Sequence, residues 1–179
     1  NTSVKSFVGG TVVNAVCGKC SFKAKIDEKL LEKHGLTVEN GEIVSIGKTA
    51  HGSMPEKGRN AILPALKYLA DIGENVTPLI EYLFDDKLNL QKVKSVAGNV
   101  TMSPDLISLN GTVLTINVDF RVPAEHMLEE FIPSFDKMNV PYTAIKKRDP
   151  LYVPKDDPFV VTLINAYNKA TGEKKEPVS

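Results

Sequence analysis

Hydrophobic and polar positions alternate in several stretches of the first half of the chain, and this period-two pattern predicts β-strands. The predicted strands cover residues 4–16, 20–26, 36–39 and 42–48. Asn40-Gly41 lies between the last two strands and is typical of a tight type I′ hairpin turn. From residue 58 to residue 73 the apolar positions recur at helical spacing instead, so we expect a helix there.

Two shorter helices are predicted in the same half. The first covers Asp27–His34, because an aspartate is a favoured N-terminal cap and Gly35 can end a helix in the left-handed conformation. The second covers Pro78–Asp86, whose apolar residues lie on one face.

The second half of the chain repeats the arrangement of a strand pair and a helix. Strands are predicted over residues 96–103 and 112–120, with Asn110-Gly111 as the hairpin turn between them. A helix is predicted over residues 124–138, and Pro133 is expected to kink it or to end it early. A last strand is predicted over residues 141–147.

Helices packed on one face of antiparallel strands indicate an α+β fold of ferredoxin-like type. We expect one domain over residues 1–148, with two similar halves at 1–90 and 91–148. The periodicity leaves open whether these halves form one continuous sheet or two packed subdomains. Residues 149–158 are predicted to be an extended, proline-rich linker, and the helix that begins at Phe159 should stop at Gly172.

The charge balance excludes two classes of partner. The 179 residues contain 22 Lys+Arg and 22 Asp+Glu, so there is no electrostatic attraction to nucleic acid or to a membrane surface. No apolar run approaches the roughly 18–20 residues that would span a bilayer. The N-terminus has neither an initiator methionine nor a signal-peptide pattern, and we expect a piece cut from a longer, cytoplasmic protein.

The two cysteines, Cys17 and Cys20, form a Cys-Gly-Lys-Cys sequence. One such pair does not complete a four-ligand zinc site, and the sequence offers no second pair. A redox pair of thioredoxin type would open a helix, whereas this one lies between two predicted strands. We therefore interpret Gly18-Lys19 as a hairpin turn with two incidental thiols.

The stretch from Gly47 to Ala61 carries the most information about function. It reads Gly-Lys-Thr-Ala-His-Gly-Ser-Met-Pro-Glu-Lys-Gly-Arg-Asn-Ala, and it sets His51 in a turn between a predicted strand and a predicted helix. Gly52 and Gly58 allow close backbone approach in this turn. A side chain at such a junction is held by rigid elements on both sides, which favours binding or catalysis. On the residues alone, a histidine that only caps or fills the turn is the simpler interpretation.

This stretch resembles the lid-domain sequence of the aminoacylase-like zinc peptidases, a family of aminoacylases, carboxypeptidases, desuccinylases and dipeptidases. The Ala-His-Gly-Ser-x-Pro motif is most similar to that of the dipeptidase V branch. Three further stretches resemble the family in the family's own order; they are residues 9–16, 117–123 and 157–177. The resemblance thus covers nearly the whole chain.

The resemblance implies that the chain is the lid domain of a zinc-dependent dipeptidase, with residues 149–179 leading back to a catalytic domain that lies outside this chain. The family holds two zinc ions in that catalytic domain. We expect no metal site in this chain, since His34, His51 and His126 lack metal-binding spacing. The chain by itself is therefore expected to be inactive, while the parent would cleave dipeptides or N-acyl amino acids.

The resemblance assigns roles to three residues. His51 would hydrogen-bond the scissile carbonyl oxygen as negative charge develops, and such a donor contributes roughly 2.7–4 kcal/mol in comparable sites. Arg121 would bind the terminal carboxylate through two parallel hydrogen bonds, and a surface salt bridge to Asp119 or Glu125 is the alternative. Asn14 would be a second substrate ligand.

A different class of function is a stand-alone α+β interaction or dimerisation module without catalysis. Lid domains of the resembling family often pair through sheet edges, so an exposed edge strand could join two copies into a homodimer. The two hypotheses differ in the consequence of His51→Ala. This substitution should leave a binding module nearly unchanged, whereas in an enzyme it should lower the rate of the chemical step.

Overall fold

The fold is built on one antiparallel sheet, in a computed structural model that describes residues 3–95, 98–138, 140–143 and 153–177. The strands of this sheet are β1 (Ser6–Gly9), β2 (Lys19–Lys23), β3 (Thr37–Glu39), β4 (Glu42–Ile46), β7 (Thr101–Asn110) and β8 (Val113–Arg121). They lie in the order β3-β4-β2-β1-β7-β8. Strands from both halves of the chain therefore belong to one continuous sheet. Between them in sequence, β5 (Lys94–Ser95) pairs with β6 (Gly98–Asn99).

The helices are mostly short. Among the described residues they are α1 (Glu28–His34), α2 (Ile62–Asp71), α3 (Thr77–Leu83), α4 (Ile132–Phe135) and α5 (Pro158–Thr171), with single 3-10 turns at Pro55–Lys57, Leu90–Lys92 and Leu128–Glu130. The caps predicted for α1 are present, because the Asp27 carboxylate accepts two backbone N–H groups and Gly35 is left-handed at φ 63°. The predicted α+β class with an antiparallel sheet is confirmed.

The main core lies between one face of the sheet and the helices α1, α2 and α3. Phe7, Phe22 and Ile43 supply its sheet side. The helices contribute Leu31 from α1, Ile80 from α3 and, from α2, a buried stripe consisting of Ile62, Ala65, Leu66, Tyr68 and Leu69. A second, smaller cluster contains Leu90, Val100 and Phe131 and packs against Phe120 of β8. Helices on one face are thus as predicted.

The first strand is shorter than the sequence pattern suggests. β1 ends at Gly9, and the prediction of a strand over residues 4–16 is wrong beyond that residue. Gly10 turns the chain away at φ 79°, where a side chain would collide with the Asp105 carbonyl oxygen. β1 and β2 do pair antiparallel, but residues 10–18 connect them as a loop, so Gly18-Lys19 is not a hairpin turn.

The longest strand passes through a proline. We predicted a strand over residues 96–103, but β7 begins at Thr101 and continues to Asn110, and residues 96 and 97 lie outside the described residues. The pairing register of β7 with β8 shifts between Pro104 and Leu106, which leaves Asp105 as the extra residue of a β-bulge. A bulge accommodates proline because the ladder is already interrupted there.

The two hairpins predicted from Asn-Gly pairs are present. Asn40 and Gly41 have φ values of 50° and 77°, as a type I′ turn requires, and they join β3 to β4. β7 and β8 are also joined tightly, but Asn110 pairs with Val113, so Gly111 and Thr112 form that turn. Local turn chemistry therefore identified both hairpins and misplaced the second by one residue.

Three helix predictions need correction. The helix predicted from residue 58 begins at Ile62, because Arg59 is still bonded to Lys48 in an extended bridge. The helix predicted over 78–86 is α3, shifted toward the N-terminus and ending at Leu83. The helix predicted over 124–138 is broken into a 3-10 turn and α4, with Pro133 in the first turn of α4, where its missing N–H costs least.

The C-terminal helix α5 ends at Gly172 as predicted, and no residue of it is buried. Phe159 and Leu163 are 69% and 54% exposed. Of the predicted strand 141–147, residues 141–143 are irregular and the rest lie outside the described residues. Within the described ranges, no helix is long and apolar enough to cross a membrane.

Candidate functional site

The loop that carries His51 is fastened to the loop after β1. The backbone N–H of Gly52 donates to the Asn14 carbonyl at 2.8 Å, and that of Val16 donates to the Ala50 carbonyl at 2.9 Å. Ala15 and His51 consequently form an antiparallel bridge. The residues beyond β1 that we predicted as strand thus pair with the His51 loop, and they fix its backbone.

His51 is an exposed residue, and its Nδ1 atom is in contact with Ser53. The backbone N–H of Ser53 points to Nδ1 at 3.3 Å, and the Ser53 hydroxyl lies 2.7 Å from the same atom. A nitrogen that accepts a backbone N–H carries no proton itself, so in the neutral ring the proton is on Nε2. This tautomer leaves an N–H donor on the outer edge of the ring.

Asn60 holds the far end of the loop in place. Its side-chain oxygen accepts the N–H of Ile62 at 2.9 Å, and its amide nitrogen donates to the Pro104 carbonyl at 2.6 Å. The start of α2 is thereby bonded to the bulge in β7. Both polar groups of the Asn60 side chain are thus used to support the loop.

Arg121 lies at the end of β8 and pairs with Asp119, two residues earlier on the same face of the strand. Its Nε and Nη2 atoms donate to the same carboxylate oxygen, Oδ2, at 2.9 and 2.8 Å. The Arg121 side chain is 39% exposed, and that of Asp119 is 16% exposed. The salt bridge weighed as an alternative for Arg121 is therefore present, with Asp119 as the partner.

Asp119 also contacts the His51 loop. A Cβ atom placed on Gly52 would lie 2.2 Å from Asp119 Oδ2, so any larger residue at position 52 would have to displace this carboxylate. The Thr101 hydroxyl donates to the Gly52 carbonyl at 3.4 Å, which ties the loop to β7 as well. Gly52 therefore packs between the two sequence-distant elements that carry Asn14 and Arg121.

A second aspartate, Asp105, is completely buried at the bulge of β7. Its Oδ1 atom accepts a short hydrogen bond from the Ser103 hydroxyl, and its Oδ2 atom has no hydrogen-bond partner among the described residues. Burial raises the pKa of Asp105 to about 6, although the Ser103 bond lowers it. The charge of Asp119 raises this pKa further, while Arg121 and His51 lower it.

The structure thus brings the three predicted residues to one region. His51 and Asn14 share a backbone ladder, and Arg121 reaches the same loop through Asp119. The Asn14 residue is exposed, and the contact it makes with the loop is through its carbonyl group. Sequence reasoning missed Asp105 altogether and considered Asp119 only as a salt-bridge partner. Pro104 within a strand was the available signal, because proline marks a bulge.

The other histidines lie elsewhere and have structural partners. His34 bonds Asp71 at 2.7 Å and packs edge-on against Tyr68. His126 bonds Glu130 at 2.8 Å. Within the described part of the chain, no group of three or more His, Cys, Asp or Glu side chains is arranged to hold a metal ion. The described residues therefore do not fit a zinc site.

Both cysteines are buried core residues with free thiols. The Cys20 thiol donates to the Ala61 carbonyl at 3.2 Å, and the Ala61 N–H donates to the Cys17 carbonyl at 2.8 Å. The Cys17 thiol donates to the Lys19 carbonyl at 3.3 Å, and the interaction between the two neighbouring thiols lowers the pKa of Cys17 and raises that of Cys20. The pair joins the loop after β1 to the start of α2.

A comparison with protein families assigns residues 38–138 to the peptidase dimerisation domain of the M20 peptidases. The chain belongs to this family. The matched residues include the His51 loop, the bulge with Asp105, and Asp119 with Arg121. The expected resemblance to the lid domain of a peptidase family is thereby confirmed at the level of the family.

Individual relatives of the domain come from staphylococci. The chain is 32% identical over 171 residues to a Staphylococcus haemolyticus protein named "Putative dipeptidase", and 31% identical over 158 residues to one of the same name from Staphylococcus epidermidis. These alignments cover 84% and 79% of the chain but 36% and 34% of the relatives. The chain thus spans about a third of the length of the curated relatives it matches.

Proposed function

We propose that this domain is the lid of a metal-dependent dipeptidase and that it supplies two substrate-binding groups to a catalytic domain outside this chain. In this proposal, His51 donates a hydrogen bond from Nε2 to the carbonyl oxygen of the scissile bond. Arg121 binds the free carboxylate at the C-terminal end of the dipeptide, and Asn14 is a further ligand. An N-acyl amino acid would present the same two groups.

The observation that carries the proposal is the contact of Ser53 with Nδ1 of His51, which leaves Nε2 as the N–H donor of the neutral ring. Ser53 occupies Nδ1, so the neutral ring holds its proton on Nε2, and His51 is an exposed residue. An oxyanion is best stabilised by a donor that is already oriented before charge develops. The backbone bonds that Gly52 donates to Asn14 and Val16 donates to Ala50 support this role, because they fix the loop from outside the turn.

The rest of the catalytic apparatus lies outside this chain in our proposal. Two zinc ions would be held by the catalytic domain, as the family resemblance implies. Residues 1–148 would form the lid, and residues 149–179 would return to that domain. The exposed apolar residues of α5, among them Phe159 and Leu163, support this arrangement. The isolated chain would then be inactive, and the parent would be a cytoplasmic hydrolase.

The test is His51→Ala in the complete protein, assayed with dipeptides. We expect kcat to fall about 10²–10³-fold, because one oxyanion donor is removed, with a much smaller change in KM. His126→Ala is the control, since His126 bonds Glu130 away from the His51 loop. An unchanged kcat in His51→Ala would remove the proposed role of this histidine.

A second candidate is a dimerisation module without a catalytic role, which the family assignment itself favours. Two copies would then pair through a sheet edge to form a homodimer. Analytical ultracentrifugation of the complete protein and of the His51→Ala variant separates the two candidates. If the protein dimerises and His51→Ala changes neither activity nor assembly, the second candidate is the better one.

A further inference from the structure

Arg121 is held by one edge of its guanidinium group. A guanidinium presents five N–H donors in a rigid plane, and Nε together with one Nη2 hydrogen forms its side edge. Both donors of this side edge are bonded to Asp119 Oδ2. The end edge, formed by the remaining Nη2 hydrogen and Nη1, takes part in none of the hydrogen bonds that Arg121 makes within the described residues. That end edge has the geometry to donate two parallel hydrogen bonds to a carboxylate.

The same oxygen of Asp119 sets the distance between Arg121 and the His51 loop. Gly52 follows His51 directly and approaches Oδ2 so closely that a Cβ atom would lie 2.2 Å from it. Gly52 is in turn bonded to Asn14 at 2.8 Å and to Thr101 at 3.4 Å. One carboxylate oxygen is therefore both the acceptor for the guanidinium and the surface against which the loop rests.

An ordinary surface ion pair would not have these features. Surface pairs between long side chains are usually exposed on both sides and contribute little. Here the Asp119 side chain is only 16% exposed, and it lies on a β-strand with one residue between it and its partner. The strand backbone, rather than two flexible chains, therefore determines where the guanidinium points.

We propose that Asp119 is a positioning residue: by holding the side edge of Arg121 against Gly52, it aims the end edge at the substrate carboxylate at a fixed distance from His51. This inference rests on the proposed function of Arg121. It makes the salt bridge and the carboxylate clamp parts of one arrangement, not alternatives. Asp119 itself does not touch the substrate.

The test compares two substrates in the complete protein: a dipeptide with a free C-terminal carboxylate and the same dipeptide with a C-terminal amide. The measured quantity is the ratio of their kcat/KM values. Arg121→Ala should abolish the preference for the carboxylate. Asp119→Asn should lower this preference about ten- to a hundredfold, mainly through KM of the free dipeptide, because the guanidinium loses its charged anchor.

The amide substrate is the internal control for folding and for the chemical step. A structural defect would lower the rates for both substrates alike, whereas a misoriented Arg121 guanidinium would lower only the rate for the dipeptide with a free carboxylate. Asp71→Asn is the control variant, because it removes a carboxylate that pairs with Lys33 at 2.6 Å on the helical side of the molecule. It should leave the substrate preference unchanged.

The outcomes separate the inference from the function on which it rests. If Arg121→Ala leaves the preference intact, the proposed carboxylate clamp is wrong. If Arg121→Ala abolishes the preference but Asp119→Asn does not reduce it, the clamp stands and the positioning role of Asp119 is wrong. The double variant should be no worse than Arg121→Ala alone, since both substitutions remove one interaction.

Discussion

Replacing the buried Asp105 with asparagine should make the stability of the domain depend differently on pH. Burial raises the pKa of this carboxyl from 3.8 to about 6, so the folded state holds the proton more tightly than the unfolded state. The stabilisation from the bound proton is complete below pH 3.8 and is lost as the pH rises through 6. The difference between the two pKa values corresponds to about 3 kcal/mol.

The variant removes this titration but keeps the shape of the side chain. The asparagine oxygen can still accept from Ser103, while its amide nitrogen takes the place of the unpartnered Oδ2 atom. The unpaired amide adds a constant cost of about 1–3 kcal/mol. The free energy of unfolding of the variant minus that of the parent should nevertheless increase by about 2.4 kcal/mol between pH 4 and pH 7, because only the parent titrates.

Urea denaturation followed by circular dichroism, at half-unit steps from pH 4 to pH 8, measures this difference. Asp156→Asn serves as the control, since it removes an exposed aspartate in the segment before α5, and its difference from the parent should stay nearly constant. A difference for Asp105→Asn that is flat across this range, or that decreases, would refute the assignment of a raised pKa to the buried carboxyl.

Two further stability predictions follow from single contacts. Gly52→Ala should destabilise the domain by about 1–3 kcal/mol, because the new Cβ atom would collide with the Asp119 carboxylate. In a protein that also carries Asp119→Ala, the same substitution should cost less. Equal costs of Gly52→Ala with and without Asp119→Ala would contradict the contact. Tyr68→Phe should cost about 1–3 kcal/mol, because the buried hydroxyl donates to the Lys25 carbonyl at 2.8 Å and accepts the Asp27 N–H at 2.9 Å. Tyr142→Phe is the control, because Tyr142 is exposed. Equal losses of stability for the two tyrosine variants in thermal unfolding would contradict the expectation.

The sequence predicted best those features that depend on a few neighbouring residues. Asp27 and Gly35 bound α1, and Asn40-Gly41 turns the chain, because each acts through its own backbone conformation or its own short side chain. Element ends were less accurate where a distant segment decides them. β1 stops at Gly9 because the following residues bond to the His51 loop, which lies about forty residues away.

The candidate site shows the same division. His51 and Arg121 are candidates because of the motifs in their own segments and the family resemblance. The contribution of Asp119 depends on a contact with Gly52, 67 residues earlier in the chain, and no local pattern encodes it. The bulge is partly predictable from the sequence. Pro104 indicates that the strand pairing is interrupted, but it does not indicate which side chain becomes buried there.

The sequence by itself therefore determined the class of the fold, the caps of α1, the Asn40-Gly41 turn and the position of the His51 loop between a strand and a helix. These follow from local backbone preferences and from the period of the apolar positions. Only the tertiary structure decided that β1 pairs with β7, that Asp105 is buried with an unpartnered oxygen, and that Asp119 joins Arg121 to the His51 loop. The physical reason is that these features depend on burial and hydrogen bonds between segments far apart in sequence, whose energies arise only when the whole sheet is assembled.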